Sequence, residues 1–183
     1  MVRAMKRLLS LIVPLLMAVG LSCSVQADKQ ARLTKEVQET IKMFKKADPG
    51  MDKLFKEAKG YVVFPKVSKG AFGVGAAKGK GQLFAAGQLQ GEATLTQVTI
   101  GFQLGGQVYS EVIFFDEEKA LKDFQKGNVE FSAQVSAVAA AEGASKNAKF
   151  VNGVAVFTLA KGGLMYEASI GGQKFSYHPY DKK

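Results

Sequence analysis

The sequence predicts an α+β protein: a curled, largely antiparallel, barrel-like sheet packed by N-terminal amphipathic helices and one short inserted helix. Three observations lead there. Before residue 60, apolar residues recur at the spacing of one helix face. After it they alternate as in strands, and short glycine-bearing links separate one strand-like run from the next. Runs joined by short links pair as antiparallel neighbours. Many short strands leave vulnerable edges unless the sheet curls, closes or is covered by helices.

Residues 1–27 read as a signal peptide. Arg3, Lys6 and Arg7 form a positive start, an apolar run covers 8–21, and Val25-Gln26-Ala27 has the small-residue pattern of a cleavage site. The apolar run is shorter than the ~20 residues a spanning helix needs. Cleavage there leaves one domain over 28–183, helical over 28–60 and β-rich over 61–183. Leu21-Ser22-Cys23 partly resembles a lipidation site, but Gly20 stands where its leucine belongs, so plain cleavage is favoured over a lipoprotein. Either way the protein is expected to be exported, to the periplasm or outer envelope. The net charge is +9, and taking away the three leader charges leaves +6. A positive balance favours anionic partners such as phospholipid headgroups, and nucleic acid is not expected for an exported protein.

The first helix is predicted over 29–47. Leu33, Val37, Ile41 and Phe44 form its apolar stripe, and Lys35, Lys42, Lys45 and Lys46 enrich its surface. Two readings of the stripe stand: it enters a lipid headgroup layer while the lysines meet anionic lipid, or it caps the β-domain. Asp48-Pro49 supplies an N-cap and first-turn proline for a second helix bearing Met51, Leu54, Phe55 and Ala58, which Gly60 ends.

Nine strands are expected, over 61–64, 71–77, 82–88, 93–104, 107–115, 129–140, 151–159, 164–170 and 173–177. Pro65, lacking an N–H, stops the first of them. Lysine-bearing turns follow at 66–70 and at Gly79-Lys80-Gly81, so that Lys66, Lys69, Lys78 and Lys80 reach outward. Asp116 caps a helix over 117–126 that turns Ala120, Leu121 and Phe124 inward. The segment 133–141 suits helix by its alanines and strand by its alternation; strand is preferred.

Residues for covalent chemistry are few. His178 is the only histidine, and cleavage after Ala27 removes the only cysteine, so no catalytic residue, metal site or cofactor is expected. The glycine runs match neither G-x-G-x-x-G nor G-x-x-x-x-G-K-[ST].

Val62-Val63-Phe64-Pro65-Lys66-Val67-Ser68-Lys69-Gly70-Ala71-Phe72-Gly73-Val74-Gly75 resembles the central motif of the SYLF family. Three further segments resemble that family in the same order: Ile100 to Gln107, Val112 to Phe124, and Lys161 to Gly172. The resemblance spans roughly residues 53–177 and departs at Lys78 and Lys80, where an acidic residue is common in relatives. It implies non-enzymatic membrane lipid binding, and in eukaryotic relatives phosphoinositides and actin. For an exported bacterial chain, the expected partner is an anionic phospholipid surface met by the four turn lysines and the first helix. Actin is not expected there; another envelope protein or a carried apolar ligand is the alternative.

Overall fold

The computed structural model describes residues 26–72, 74–100, 105–127, 129–130, 137–160 and 172–180. Residues 1–25 of the leader expected over 1–27, Cys23 among them, and the strand expected at 164–170 lie outside the described residues. Helix α1 covers 26–47, and the chain divides into two compact units between Lys35 and Glu36, inside that helix. In the first unit the Thr34 hydroxyl donates to the Gln30 carbonyl at 2.9 Å, Leu33 is half-buried and Lys35 is exposed.

The second unit is the α+β body. Its elements are α2 (Met51–Glu57), β1 (Gly60–Phe72), β2 (Val74–Ala85), β3 (Gln88–Ile100), β4 (Gly105–Phe115), α3 (Glu118–Gln125), β5 (Val129–Glu130), β6 (Ala137–Ala139), β7 (Val154–Ala160) and β8 (Gln173–Pro179), with a 3-10 turn at Ala144–Asn147. Among the described residues the strands form one sheet in the order β5-β8-β3-β2-β1-β4-β7-β6. Each described pairing is antiparallel except that of β6 with β7. No described ladder joins β5 to β6, so the sheet is curled and unclosed.

Alternation gives the sheet two different faces. The inner face carries Val62, Phe64, Leu95, Ile113, Phe115 and Phe175, all at most 2% exposed. Helix α3 fills the curl from this side: the Phe124 ring lies 5.3 Å from Phe115 and 5.7 Å from Phe175. The outer face carries Val63, Phe84, Val112, Phe114 and Phe157, also buried. Phe55 of α2 packs edge-on to Phe114 at 4.9 Å and to Tyr61 at 5.0 Å, which places α2 on that outer face. The end of α1 is tied to α2 by Lys45, whose ammonium meets Asp52 at 2.8 Å and lies 5.4 Å from the Phe55 ring centroid.

Pro65 does not end the first strand. Val63 pairs with Gln82 and Lys66 with Lys80, so one extra residue of β1 is absorbed in a bulge. The register against β4 slips at the same place, and the Ser110 hydroxyl donates to the Pro65 carbonyl at 2.8 Å. A proline without a ladder donor is tolerated because the bulge needs none there. Gly81 sits against this bulge: a Cβ on it would strike the Val63 carbonyl and stand 2.6 Å from the Phe64 ring. The expected turns at 66–70 and 79–81 are therefore strand, paired residue by residue from Lys66 with Lys80 to Phe72 with Val74.

The real β2–β3 turn is Ala86-Gly87, with φ of 49° and 74°, a pair of left-handed residues that suits a tight hairpin. Likewise the run expected at 151–159 begins with a turn at Asn152-Gly153, φ 53° and 76°, closed by hydrogen bonds between Val151 and Val154 in both directions. The caps also differ from expectation. Gly50, not Asp48, is the N-cap of α2. Asp48 instead accepts from the Gly50 N–H at 2.9 Å and from the Ser145 N–H at 2.6 Å, fastening the α1–α2 joint to the 3-10 turn. Burial pushes its pKa up, but the backbone donors of Ser145, Gly50 and Gly143 outweigh that and hold it below the ordinary carboxylate range. Glu117 is the N-cap of α3 without a side-chain cap bond, while the Asp116 N–H is taken by the Gly153 carbonyl. Acidic charge at this helix start still complements the dipole, and Glu118 pairs with Lys122 at 2.9 Å.

Two outcomes are expected. Phe44→Ala should lose about 3–5 kcal/mol in urea unfolding, because a fully buried ring leaves a cavity; a loss below about 1 kcal/mol would show that the site is not core. Asp48→Ala should weaken the protein at neutral pH and flatten its acid response. Asp48's contribution is present above the unfolded carboxylate pKa and disappears as pH falls through the lowered folded one. Equal acid unfolding curves for variant and wild type would refute that role.

Candidate functional site

Lys66, Lys78 and Lys80 are exposed on the outer face of adjoining strands, beyond the end that α2 covers. Lys66 stands opposite Lys80, and Ser68 opposite Lys78. The next strand brings Thr94 beside Lys80 and Thr96 beside Lys78, and β8 then adds exposed Lys174 opposite Thr96. Like charges directly opposite repel across a ladder; Glu92 relieves this one by pairing with Lys80. Val98, 68% exposed, lies on the same face. The result is a continuous, solvent-facing basic surface on the outer side of the sheet rather than a pair of turns. Lys69 is separated from it: in phase with buried Val67, it belongs to the inner face and is half-buried. Lys174, which the sequence reading passed over, takes its place.

The helix residues divide in the same way. Lys35, Lys42 and Lys46 are exposed, and Lys45 is engaged with Asp52. Val37 and Phe44 are 0% exposed and Ile41 7%, so these three side chains serve the core and are not presented to a bilayer. The physical reason is that an amphipathic stripe is equally suited to an apolar protein surface and to lipid, and here the protein surface occupies it. Leu33 lies in the other compact unit.

A second polar centre lies inside the curl and was absent from the sequence reading. Glu111 on β4 is in phase with Tyr109, Ile113 and Phe115, so its carboxyl projects into the apolar interior, 0% exposed. The Gln173 side-chain N–H donates to Glu111 Oε2 at 3.2 Å. Glu111 Oε1 and Gln173 Oε1 are buried without a hydrogen-bond partner among the described residues. Burial drives the Glu111 pKa up to about 8, only partly offset by the Gln173 bond. Burial first, then the nearby Glu111 charge, raises that of Tyr109 as well. Thr158 of β7 stands opposite Glu111, and Gln97 of β3 opposite Gln173, both buried on the same face. The available signal was a glutamate at an inward position of the alternating run 107–115.

Among the described residues no group of three or more His, Cys, Asp or Glu is arranged to hold a metal ion, and His178 is exposed on β8. Among them, too, no helix is long and apolar enough to cross a membrane.

Residues 96–180 match the family model Ysc84, described as "Las17-binding protein actin regulator". The chain is similar to Beta cell expansion factor A of Aeromonas veronii, 28% identical over 138 residues, which cover 74% of this chain and 51% of that protein. The chain thus spans about half the length of the curated relative it matches.

The raised acid sets the sign of a pH effect. Glu111 ionises readily in the unfolded chain above its ordinary value of 4.5 but not in the fold until about 8. Glu111's contribution to stability is therefore full at low pH and falls between those values, by roughly 1.4 kcal/mol per pH unit at its steepest. Glu111→Gln should remove this decline in urea unfolding measured across the range. An unchanged slope would show that the carboxyl titrates freely.

Proposed function

We propose, from the likeness of this chain to the SYLF family, that it is an exported, non-enzymatic protein that binds anionic phospholipid surfaces of the bacterial envelope through its basic outer sheet face. The family is associated with lipid and actin binding. The observation that carries the reading is the register of Lys66, Lys78 and Lys80 on adjoining strands, with Lys174 two strands further on and hydroxyl side chains between them. An array of ammonium groups exposed on the outer side of the sheet suits a surface of repeated phosphates better than a single deep ligand. Each lysine near such a surface contributes about 1 kcal/mol within a Debye length, so several must act together. Val98 adds an exposed apolar side chain on the same face. For an exported bacterial protein, actin is not the expected partner.

In this reading α1 is a structural helix, and its exposed Lys42 and Lys46 supply no insertion step. The alternative, docking of another envelope protein on the same face, shares the charge but not the indifference to lateral arrangement.

Flotation with vesicles tests the proposal. Wild type should float with phosphatidylcholine vesicles containing phosphatidylglycerol and not with phosphatidylcholine alone, and added salt should weaken the binding. The double variant Lys66→Ala, Lys78→Ala should bind roughly thirty-fold more weakly, the equivalent of about 2 kcal/mol. Equal flotation with neutral and anionic vesicles, or undiminished binding by the folded variant, would overturn it.

A further inference from the structure

The bond between Gln173 and Glu111 joins strands that are far apart in the ladder. From β8 to β4 the order runs through β3, β2 and β1. Four steps of about 4.8 Å would separate the two strands by about 19 Å in a flat sheet. Their side chains nevertheless meet at 3.2 Å. Phe64 of β1 and Phe175 of β8 likewise stand 5.9 Å apart across the interior. Curvature, together with the reach of two long side chains, brings these groups together, and the carboxyl–amide bond is a polar tie across the curl.

We propose that Glu111 is a proton-controlled latch: while its carboxyl is neutral it stays buried where β8 meets β4 and the curl is closed over it, and its ionisation, which costs more in lost hydration than the bond to Gln173 returns, draws water in, opens the curl and exposes the apolar interior. This goes beyond the lipid-binding reading and does not depend on it.

The surroundings of Glu111 explain why ionisation must be resolved by movement. Phe64 of β1 faces it, Thr158 of β7 lies opposite it, Tyr109 and Ile113 flank it on β4, and Gln97 of β3 stands beside Gln173 of β8. Helix α3 contributes apolar Leu121 and Phe124 to the same cluster. The titratable group among these is Tyr109, and no described cation bears on Glu111. Lys69 shares the inner face but stands past Val67, opposite Gln107. An ionised Glu111 would have one donor, the Gln173 amide, while its Oε1 has no partner among the described residues. A buried charge so placed is relieved by a counter-charge or by water. Among the described residues no counter-charge is near, which leaves water as the source of relief in the proposed opening.

Opening the curl admits water without dismantling the sheet. β8 remains paired with β3 from Gly91–Pro179 to Gln97–Gln173, and β4 remains paired with β1. What changes is curvature in the intervening strands. The same burial places the carboxyl's transition at about pH 8.

The test is a titration of the full chain from about pH 6 to about pH 9.5, following bis-ANS fluorescence and far-UV circular dichroism together. Wild type should show a several-fold rise in dye fluorescence centred near pH 8 with an unchanged β-sheet spectrum. Glu111→Gln and Glu111→Leu should both stay flat. The proposal is overturned if wild type shows no rise, if the rise persists in either folded variant, or if it coincides with loss of the β-sheet spectrum. Should neither variant fold, infrared titration of wild type decides: a buried protonated-carboxyl band must vanish over the same pH range as the dye signal appears, and a band that vanishes elsewhere refutes the latch.

Discussion

The curvature of the sheet is the constraint on which the other features depend. Strands that would lie far apart in a flat sheet press their inner faces together around Phe64, Phe124 and Phe175. Burying these rings is worth a few kcal/mol each, and α3 completes the enclosure by inserting Leu121 and Phe124. The bend needs close backbone approach. Gly91 stands against the His178 carbonyl and the Tyr177 ring, and Gly81 against the Pro65 bulge, where a methyl group would not fit. Enclosure also imposes a cost on any polar group caught inside, which is why a single glutamate there acquires unusual acid–base behaviour.

The two faces divide the labour along the length of the strands. Toward the start of β1, the outer face is apolar and takes the helix carrying Phe55. Past the bulge, the same face turns to Lys66 and Ser68, joined by Lys78 and Lys80 from β2. The bulge inserts one residue and so resets the alternation, keeping Val67 inward and Lys66 outward. Without that slip, Lys66 would fall on the apolar side. Core construction and the charged surface therefore share one local device, a proline in a strand.

Much of this was legible in residues. The stripe Leu33, Val37, Ile41 and Phe44 marked a helix, and the switch to alternation after residue 60 marked the β-rich body. The lysine segments misled because Gly, Pro and Lys compose both turns and irregular strands; only the ladder distinguishes a bulge from a stop. Ala86 gave no turn signal, since alanine rarely adopts the left-handed conformation it takes there. Asn152-Gly153 did carry a hairpin signal, but inside a run whose alternation looked continuous. Glu111 was concealed among apolar neighbours, where charge is ordinarily a reason to assign the solvent side.

By itself, the sequence determined the class: helices ahead of a largely antiparallel, curled sheet, with a positive balance of charge and little material for covalent catalysis. Those are consequences of local periodicity and composition, which need no knowledge of distant partners. Tertiary structure alone decided that the helix stripe at Val37, Ile41 and Phe44 is core, that Lys69 parts from Lys66, and that Glu111 meets Gln173. Each of these depends on which strands lie beside one another and how sharply the sheet bends, quantities set by long-range pairing and burial rather than by the identity of neighbouring residues.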